Sequence, residues 1–568
     1  NDENLDAFII PHDDEYMSEY LPPQNERLEW ATGFNGSAGV AVVTTDKAAI
    51  FVDGRYTVQV RNQVSADFFE IKHLIENPYL KWIELNISDN GKIGYDSKLH
   101  TNNWLSNSKK VLKNGHVFTA IENNPIDINW DNRPKAKSDK AILLDDKYTG
   151  KSCTTKRNEI AESLKKNNFD GVLITALDSI CWLLNIRGND VPCNPVLLAH
   201  AMIFSNGNVN LFIEESKIPD GFKDHVGDGV KVISTNEMKS ILSNLSGKKI
   251  GFDMNKGNSW LSDCMQSGGA EVQHFMDPCT LPKSCKNKVE AQGMRDCHLR
   301  DGVAVTKFLA WIDREVANGK LLDEAELADK LEEFRKLGDK FMGISFDTIS
   351  ALAGNAAMCH YIHTNQDIPG KMQMDSIYLV DSGGQYLDGT TDITRTIAIG
   401  NPSDSAKKAF TLVLKGHIAL GQAVFPKGTS GMQLDPLARQ FLWQHGMDYD
   451  HGTGHGVGHF LNVHEGPQAI SKYNNVKILP GMVLSNEPGY YEVKKFGIRI
   501  ENLIYVEKNK NKVFFKNLTL APIDTDLINF KMLNNLEKKY LFNYHMETYT
   551  KISKFLNSNE KKWLLSLI

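Results

Sequence analysis

Four carboxylates and one imidazole, each with a distinctive flank, make the most specific chemistry in this chain. His455 lies inside His451-Gly-Thr-Gly-His455-Gly-Val-Gly-His459. Upstream stands Asp381-Ser-Gly-Gly-Gln-Tyr-Leu-Asp-Gly-Thr-Thr-Asp392, and downstream come Glu487-Pro-Gly and Arg499-Ile-Glu501-Asn. Two divalent cations would nearly neutralise Asp381, Asp392, Glu487 and Glu501. Without cations, buried carboxylates repel one another and raise their own pKa values. The set is therefore expected to hold two metal ions and to serve hydrolysis. Taken singly, an Asp after an apolar strand is more often a turn or cap residue; it is the five together that carry the reading. The glycines around His455 are expected where backbone approaches a ligand closely. They do not form a dinucleotide fingerprint, because Val457 stands where its last glycine belongs. Gly150-Lys-Ser152 fails as a phosphate loop, because Asp145 replaces the first glycine.

These residues need elements to bring them together. Ile377–Val380 reads as an apolar strand closed by Asp381. Gly383-Gly384 and Asp388-Gly389 signal hairpin turns, and the chain returns in a strand that holds Asp392 and continues through Ile393–Ile399. Val483–Asn486 reads as a strand ending at Glu487. Ile498–Val506 reads as another, whose alternation puts Arg499 and Glu501 on one face. Arg499 beside carboxylates is expected to clamp a ligand in orientation; the plainer alternative, a surface ion pair, is worth only ~0–1 kcal/mol. Lys288–Val316 and Leu321–Leu337 read as helices, and Asn529–Ile568 as two helices around Asn543-Tyr-His545.

The first half contains a repeat. Leu5-Asp-Ala-Phe-Ile-Ile10 returns as Phe169-Asp-Gly-Val-Leu-Ile174, and Ile93-Gly-Tyr-Asp96 as Ile250-Gly-Phe-Asp253. Each copy brackets strand-like runs, Val40–Thr44 and Ala49–Val52 in one, Met202–Ser205 and Val209–Ile213 in the other. Helical stretches alternate with them, such as Lys156–Lys166 behind Thr154 and Thr155. Two duplicated α/β domains with mixed sheets are expected, at residues 1–138 and 139–283, before a catalytic domain at 284–568 whose residues 510–568 form a helical extension.

Composition is ordinary for a globular chain, 41% hydrophobic and 24% charged. A net charge of −6 over 568 residues supplies no basic face for nucleic acid or a membrane surface. No apolar run approaches the roughly 20 residues that cross a bilayer. The chain opens on Asn1 rather than Met, so residues are expected before it and a cleaved leader stays open. Eight scattered cysteines favour free thiols and a cytoplasmic setting over a disulfide framework, Cys279 with Cys285 being the one small loop to consider.

With these motifs in view, the chain resembles the pita-bread metallopeptidases, and among them the long three-domain form of aminopeptidase P (Xaa-Pro aminopeptidase). The resemblance spans nearly the whole chain. It includes Glu15-Tyr-Met-Ser-Glu-Tyr20, Thr32-Gly-Phe-Asn-Gly-Ser-Ala-Gly39, Asp53-Gly-Arg-Tyr56, Ser345-Phe-Asp-Thr-Ile-Ser350, Asn462-Val-His-Glu-Gly-Pro467, and the tail with Asn543-Tyr-His545 and Trp563-Leu564. It implies creatinase-like N-terminal domains, a homodimer, and hydroxide attack activated by two metal ions held by Asp381, Asp392, His455, Glu487 and Glu501. The implied substrates are short peptides with proline second, which lose their first residue. Hard oxygen ligands suit manganese, with zinc or cobalt as alternatives. Glu487 would move the proton, and His360, His451 and His464 would hold substrate and stabilise charge on the scissile carbonyl. His363 rivals His360, which the adjacent Tyr361 favours. His459 stands where the family pattern has a small residue and is expected to be peripheral. A dipeptidase for Xaa-Pro shares every ligand, but chain length and the duplicated half favour the aminopeptidase. A non-catalytic binding module would show eroded ligands, and none is missing.

Overall fold

The computed structural model describes residues 4–568, which divide into two compact units. One comprises the chain up to Asp146 together with Lys151–Thr280; the other comprises Leu281–Ile568 and the short segment Lys147–Gly150.

The first unit carries two six-stranded sheets. Strands β1 (Ala7–Pro11), β2 (Val40–Thr44), β3 (Ala48–Val52), β4 (Glu70–His73), β5 (Lys92–Asp96) and β6 (Val117–Ile121) lie in the order β4-β3-β2-β1-β5-β6. Strands β7 (Gly171–Ile174), β8 (His200–Phe204), β9 (Val209–Phe212), β10 (Val230–Ile233), β11 (Lys249–Phe252) and β12 (Glu271–His274) repeat that arrangement as β10-β9-β8-β7-β11-β12. Strand senses match as well. Two antiparallel pairs lead outward from β1 and from β7 and end on a parallel edge, with two parallel pairs on the other side. The repeated peptides fall on equivalent strands, β1 with β7 and β5 with β11. This agreement in order and sense is what a duplication predicts. The helix over Cys153–Lys166 starts ahead of the expected one because Ser152, whose side chain accepts the Thr155 N–H, is its cap.

The second unit begins with α1 (Lys288–Ala317), capped reciprocally by Asn287 and Glu290. Its apolar stripe of Met294, Val305, Phe308, Leu309 and Ile312 is buried. Helix α2 (Glu324–Lys336) starts three residues later than the periodicity suggests, because Asp323 and Glu326 form a second capping box there. Strands β13 (Ile349–Leu352), β14 (Ser376–Ser382) and β15 (Ile393–Ile399) make one sheet with β14 in the middle. A six-stranded sheet runs β16-β23-β22-β19-β17-β18, where β16 is Val424–Pro426, β17 Gly454–Gly456, β18 Glu465–Ile470, β19 Val483–Asn486, β22 Asn502–Asn509 and β23 Lys512–Asn517. Between them stands a ribbon of β20 (Gly489–Glu492) and β21 (Phe496–Arg499). Helices α3 (Asp404–Gly421) and α4 (Gly431–Trp443) cover the sheets, and α5 (Asn535–Ile552) and α6 (Ser558–Ser566) end the chain.

Three local expectations change. Asp381 lies inside β14, opposite Thr394, rather than after it. The run Ile498–Val506 is two strands broken at Ile500 and Glu501, since β21 pairs with β20 whereas β22 pairs with β19. Asn543-Tyr-His545 lies within α5, and the break between the last helices comes at Ser553–Leu556. All eight cysteines are free.

Candidate metal centre

Three of the sheets of the second unit deliver the five expected ligands from separate strands: Asp381 from β14, Asp392 from the residue before β15, His455 from β17, Glu487 from the residue after β19, and Glu501 from the break after β21. One donor atom each of Asp392, His455 and Glu501 lies within 4.8 Å of the others. His455 Nε2 is 3.4 Å from Asp392 Oδ2 and 3.4 Å from Glu487 Oε1. Its Nδ1 faces the Gly456 carbonyl at 2.9 Å, which makes Nδ1 the protonated nitrogen of the neutral ring and turns the Nε2 lone pair toward the carboxylates. Asp381, Asp392 and Glu501 are buried, whereas 21% of the His455 side chain and 16% of that of Glu487 are exposed. The cluster is therefore closed at the carboxylate end and open at the His455–Glu487 end.

Three of the four carboxylates, those of Asp381, Glu501 and Glu487, have one oxygen oriented by a hydrogen bond. Arg499 Nη2 donates to Asp381 Oδ2 at 2.6 Å, and Arg499 Nε donates to Thr394 Oγ1 at 3.1 Å. That hydroxyl in turn donates to Glu501 Oε2 at 2.8 Å. Ser485 Oγ accepts the His455 N–H and donates to Glu487 Oε1, both at 2.9 Å. The remaining oxygens, Asp381 Oδ1 and Glu501 Oε1, are buried without a hydrogen-bond partner. Buried acceptors left open in this way are costly unless something positive meets them.

Electrostatics point the same way. Burial, and then the charges of Asp392, Asp381 and Glu487, push Glu501 well above the ordinary carboxylate range. Burial also raises Glu487, to about 7, with His455 opposing and Asp392 adding. Burial alone would lower His455, but Asp392 and Glu487 outweigh it and raise the ring to about 9. Asp381 is raised by burial, against the pull of Arg499. The bare cluster thus recruits protons, and a donor set of hard oxygens with one imidazole nitrogen fits divalent cations in their place.

The histidines separate. The His464 ring lies 4.3 Å from that of His455, at 67°. It directly precedes Glu465, whose buried carboxylate is clasped by Lys283, at 2.9 Å, and by Lys286. His451 directs Nδ1 to the Gly452 carbonyl at 2.7 Å and Nε2 to the Tyr491 hydroxyl at 2.8 Å. Arg499 Nη1 donates to that hydroxyl at 2.6 Å, so the tyrosine proton points at His451 Nε2. Both nitrogens of His451 are thereby engaged within the protein. Burial and the Arg499 charge push its pKa down to about 3, and His360 also bears on it. His363 opens a short turn three residues on. His459 is buried beside Gly293 of α1, its Nε2 3.0 Å from where a Cβ on that glycine would stand.

Two of the glycines beside His455 press on neighbouring backbone. A Cβ on Gly454 would lie 2.0 Å from the Ser485 carbonyl oxygen, and one on Gly456 2.3 Å from that of Glu465. At these two positions the close approach is to neighbouring strands. Thr394 and Ser485, absent from the expected set, each stand two residues from a ligand along an extended run, and that spacing is the signal that could have found them. Tyr491 had no such signal, for it reaches the site only through pairing of β20 with β21.

Comparison with known proteins follows the same division. The profile of metallopeptidase family M24 matches residues 292–508, and that of the C-terminal region of peptidase M24 matches 513–566. Creatinase/prolidase N-terminal domain profiles match 1–124 and 132–290. A probable Xaa-Pro aminopeptidase P of Pyrenophora teres f. teres is 40% identical, over 98% of this chain and 88% of its own. A crystal structure of X-prolyl aminopeptidase from Caenorhabditis elegans, described as a cytosolic enzyme with a di-nuclear active site, superposes with a TM-score of 0.94 at 34% identity. It covers 99% of this chain and 95% of that one. A prolidase from Pyrococcus horikoshii, 23% identical, covers 65% of this chain and 99% of its own with a TM-score of 0.53, which is a likeness of fold alone.

Proposed function

The chain belongs to metallopeptidase family M24, in its aminopeptidase P group, and from that premise we propose that it releases the first residue of peptides with proline in second position. The observation that carries the reading is the meeting of Asp392, His455 and Glu501 within 4.8 Å beside two unpartnered buried oxygens, in a chain similar to these aminopeptidases over 98–99% of its length. Asp381, Asp392, His455, Glu487 and Glu501 hold two divalent ions, manganese by ligand hardness, with zinc or cobalt as alternatives. Bound there, such ions would supply Lewis acidity, lowering the pKa of the attacking water and polarising the carbonyl.

The chain's own groups do the rest. Glu487, at the open end of the cluster, takes the proton of the attacking water and passes it to the leaving nitrogen. His360 and His464 donate to the carbonyl oxygen as it gains charge. Asp392 anchors the free α-amine of the peptide. Arg499 fixes Asp381, and His451, held by Tyr491, lines the substrate side. An X-Pro bond lacks an N–H and is sterically confined, so a pocket that fits the pyrrolidine ring recognises what general peptidases handle poorly.

The division into domains at 138/139 and 283/284, with an extension from 510, belongs to this proposal, as do a homodimer and a cytosolic setting. The last is supported by the description of the Caenorhabditis elegans enzyme. Among the described residues no helix is long and apolar enough to cross a membrane.

The test is a metal-depleted preparation assayed with and without added Mn²⁺ on a tripeptide carrying proline second and on an Xaa-Pro dipeptide. Metal-restored cleavage of the tripeptide in preference to the dipeptide is expected. Preference for the dipeptide would make the protein a dipeptidase, and activity indifferent to metal would overturn the site.

A further inference from the structure

Glu324 is a fully buried carboxylate that no step of the proposed reaction uses, and every hydrogen bond its carboxylate accepts comes from one loop. Oε1 accepts the Leu352 N–H at 2.8 Å and Asn355 Nδ2 at 2.9 Å. Oε2 accepts the Tyr361 hydroxyl at 2.6 Å and the Gly370 N–H at 2.8 Å. The Glu324 N–H donates back to the Gly370 carbonyl at 2.9 Å, and Asn355 Nδ2 also reaches the Tyr361 hydroxyl at 3.1 Å. The beginning, middle and end of residues 352–370 thus close on one side chain. His360 lies in this loop, next to Tyr361.

The α2 helix does not need that carboxylate for itself, since its first turn is already capped by Asp323 and Glu326. Its apolar stripe, Leu327 and Leu331, packs into the core on its own account. On the other side, the loop lies against β21, the strand of Arg499. A Cβ on Gly497 would stand 1.7 Å from the Ala356 carbonyl oxygen, and the Cys359 carbonyl lies 3.5 Å from Arg499 Nη2. The loop is therefore held between Glu324 and the site wall. Its tip, from Thr364 to Ile368, is exposed. A buried carboxylate is tolerable when donors surround it, and four converging donors define one geometry in place of many.

We infer that Glu324 is a positioning residue for His360: its carboxylate fixes the closed form of the 352–370 loop and, through Tyr361, the place of the neighbouring imidazole. The inference rests on the peptidase reading above, in which His360 touches substrate.

It is tested with the metal-loaded full chain on the proline-second tripeptide. Glu324→Gln, which sets an amide NH₂ against donors, is expected to lower kcat/KM about 10–100-fold, as a misplaced group does, while metal affinity stays unchanged. In a His360→Ala background the same substitution is expected to lower it less than about twofold, because the group it places is gone. Equal losses in both backgrounds would overturn the inference and make Glu324 a plain stability residue. Should Glu324→Gln not fold, Tyr361→Phe in the same cycle keeps the carboxylate and three donors; full activity of that folded variant would also overturn it. If the wild type itself cleaves no tripeptide, the peptidase reading has failed separately. Faster proteolysis at residues 364–368 in Glu324→Gln or Tyr361→Phe then still supports the loop clasp, and unchanged rates reject it.

Discussion

Arg499 donates from three nitrogens to three different groups, Asp381, Thr394 and Tyr491, at 2.6, 3.1 and 2.6 Å. Its planar fork reaches a ligand carboxylate, the hydroxyl that orients Glu501, and the phenol that sets the tautomer of His451. A lysine has one flexible ammonium and cannot serve all three. Arg499→Lys is therefore expected to fold but to bind metal about 10–100-fold more weakly, as measured by calorimetric titration of metal-free protein. Unchanged affinity would mean that Asp381 needs no clamp. In the sequence, Arg499 stood out because it lies two residues from Glu501. Tyr491 did not, because nothing along the chain says which residue a neighbouring strand will place opposite.

At the level of elements, the last two helices are tied down by His545. Its Nδ1 faces the Leu567 carbonyl at 2.9 Å, and its Nε2 accepts the Ile523 N–H at 3.1 Å. Burial pushes its pKa down to about 4, and protonation would set a second N–H against that of Ile523. Since the folded pKa lies below the ordinary value near 6.5, this contribution is complete above pH ~6.5 and is lost as pH falls toward ~4. In full it is on the order of 3 kcal/mol. Hydrogen-exchange protection over α5 and α6, measured relative to the intrinsic rate at each pH, is expected to fall through that window in the wild type. In His545→Ala protection should be low already at neutral pH, with the slope gone; an equal slope in both would assign the effect to another group. The break at Ile500 and Glu501 is a fact of this scale too. Alternation predicts an extended run, but it carries no mark of where the run leaves β20 and joins β19, and Glu501 sits at that change of partner.

Two compact units with the proposed metal ligands all in one of them imply uneven coupling to metal. A ligand stabilises only the structure it binds, by about 2.7 kcal/mol at a hundredfold excess over Kd. Calorimetry is expected to show two transitions, with metal removal lowering one by about 5–10 °C and leaving the other in place. A single transition that shifts as a whole would show that the units unfold together. The twin sheets of the first unit were legible as a repeat because duplicated strands keep their apolar pattern. A helix in each unit shifted by a few residues where a cap, Ser152 in the first and Asp323 in the second, overruled the periodicity.

The sequence by itself singled out Asp381, Asp392, His455, Glu487 and Glu501, because residue types, glycine turns and strand ends are local properties written within a few positions of each other. It determined the duplicated α/β half for the same reason. What only the tertiary structure decided is how those residues are held. The Tyr491 phenol and the Glu324 clasp act across gaps that no local pattern spans. Hydrogen bonds depend on distance in space, and the chain sets that distance only once its sheets have paired.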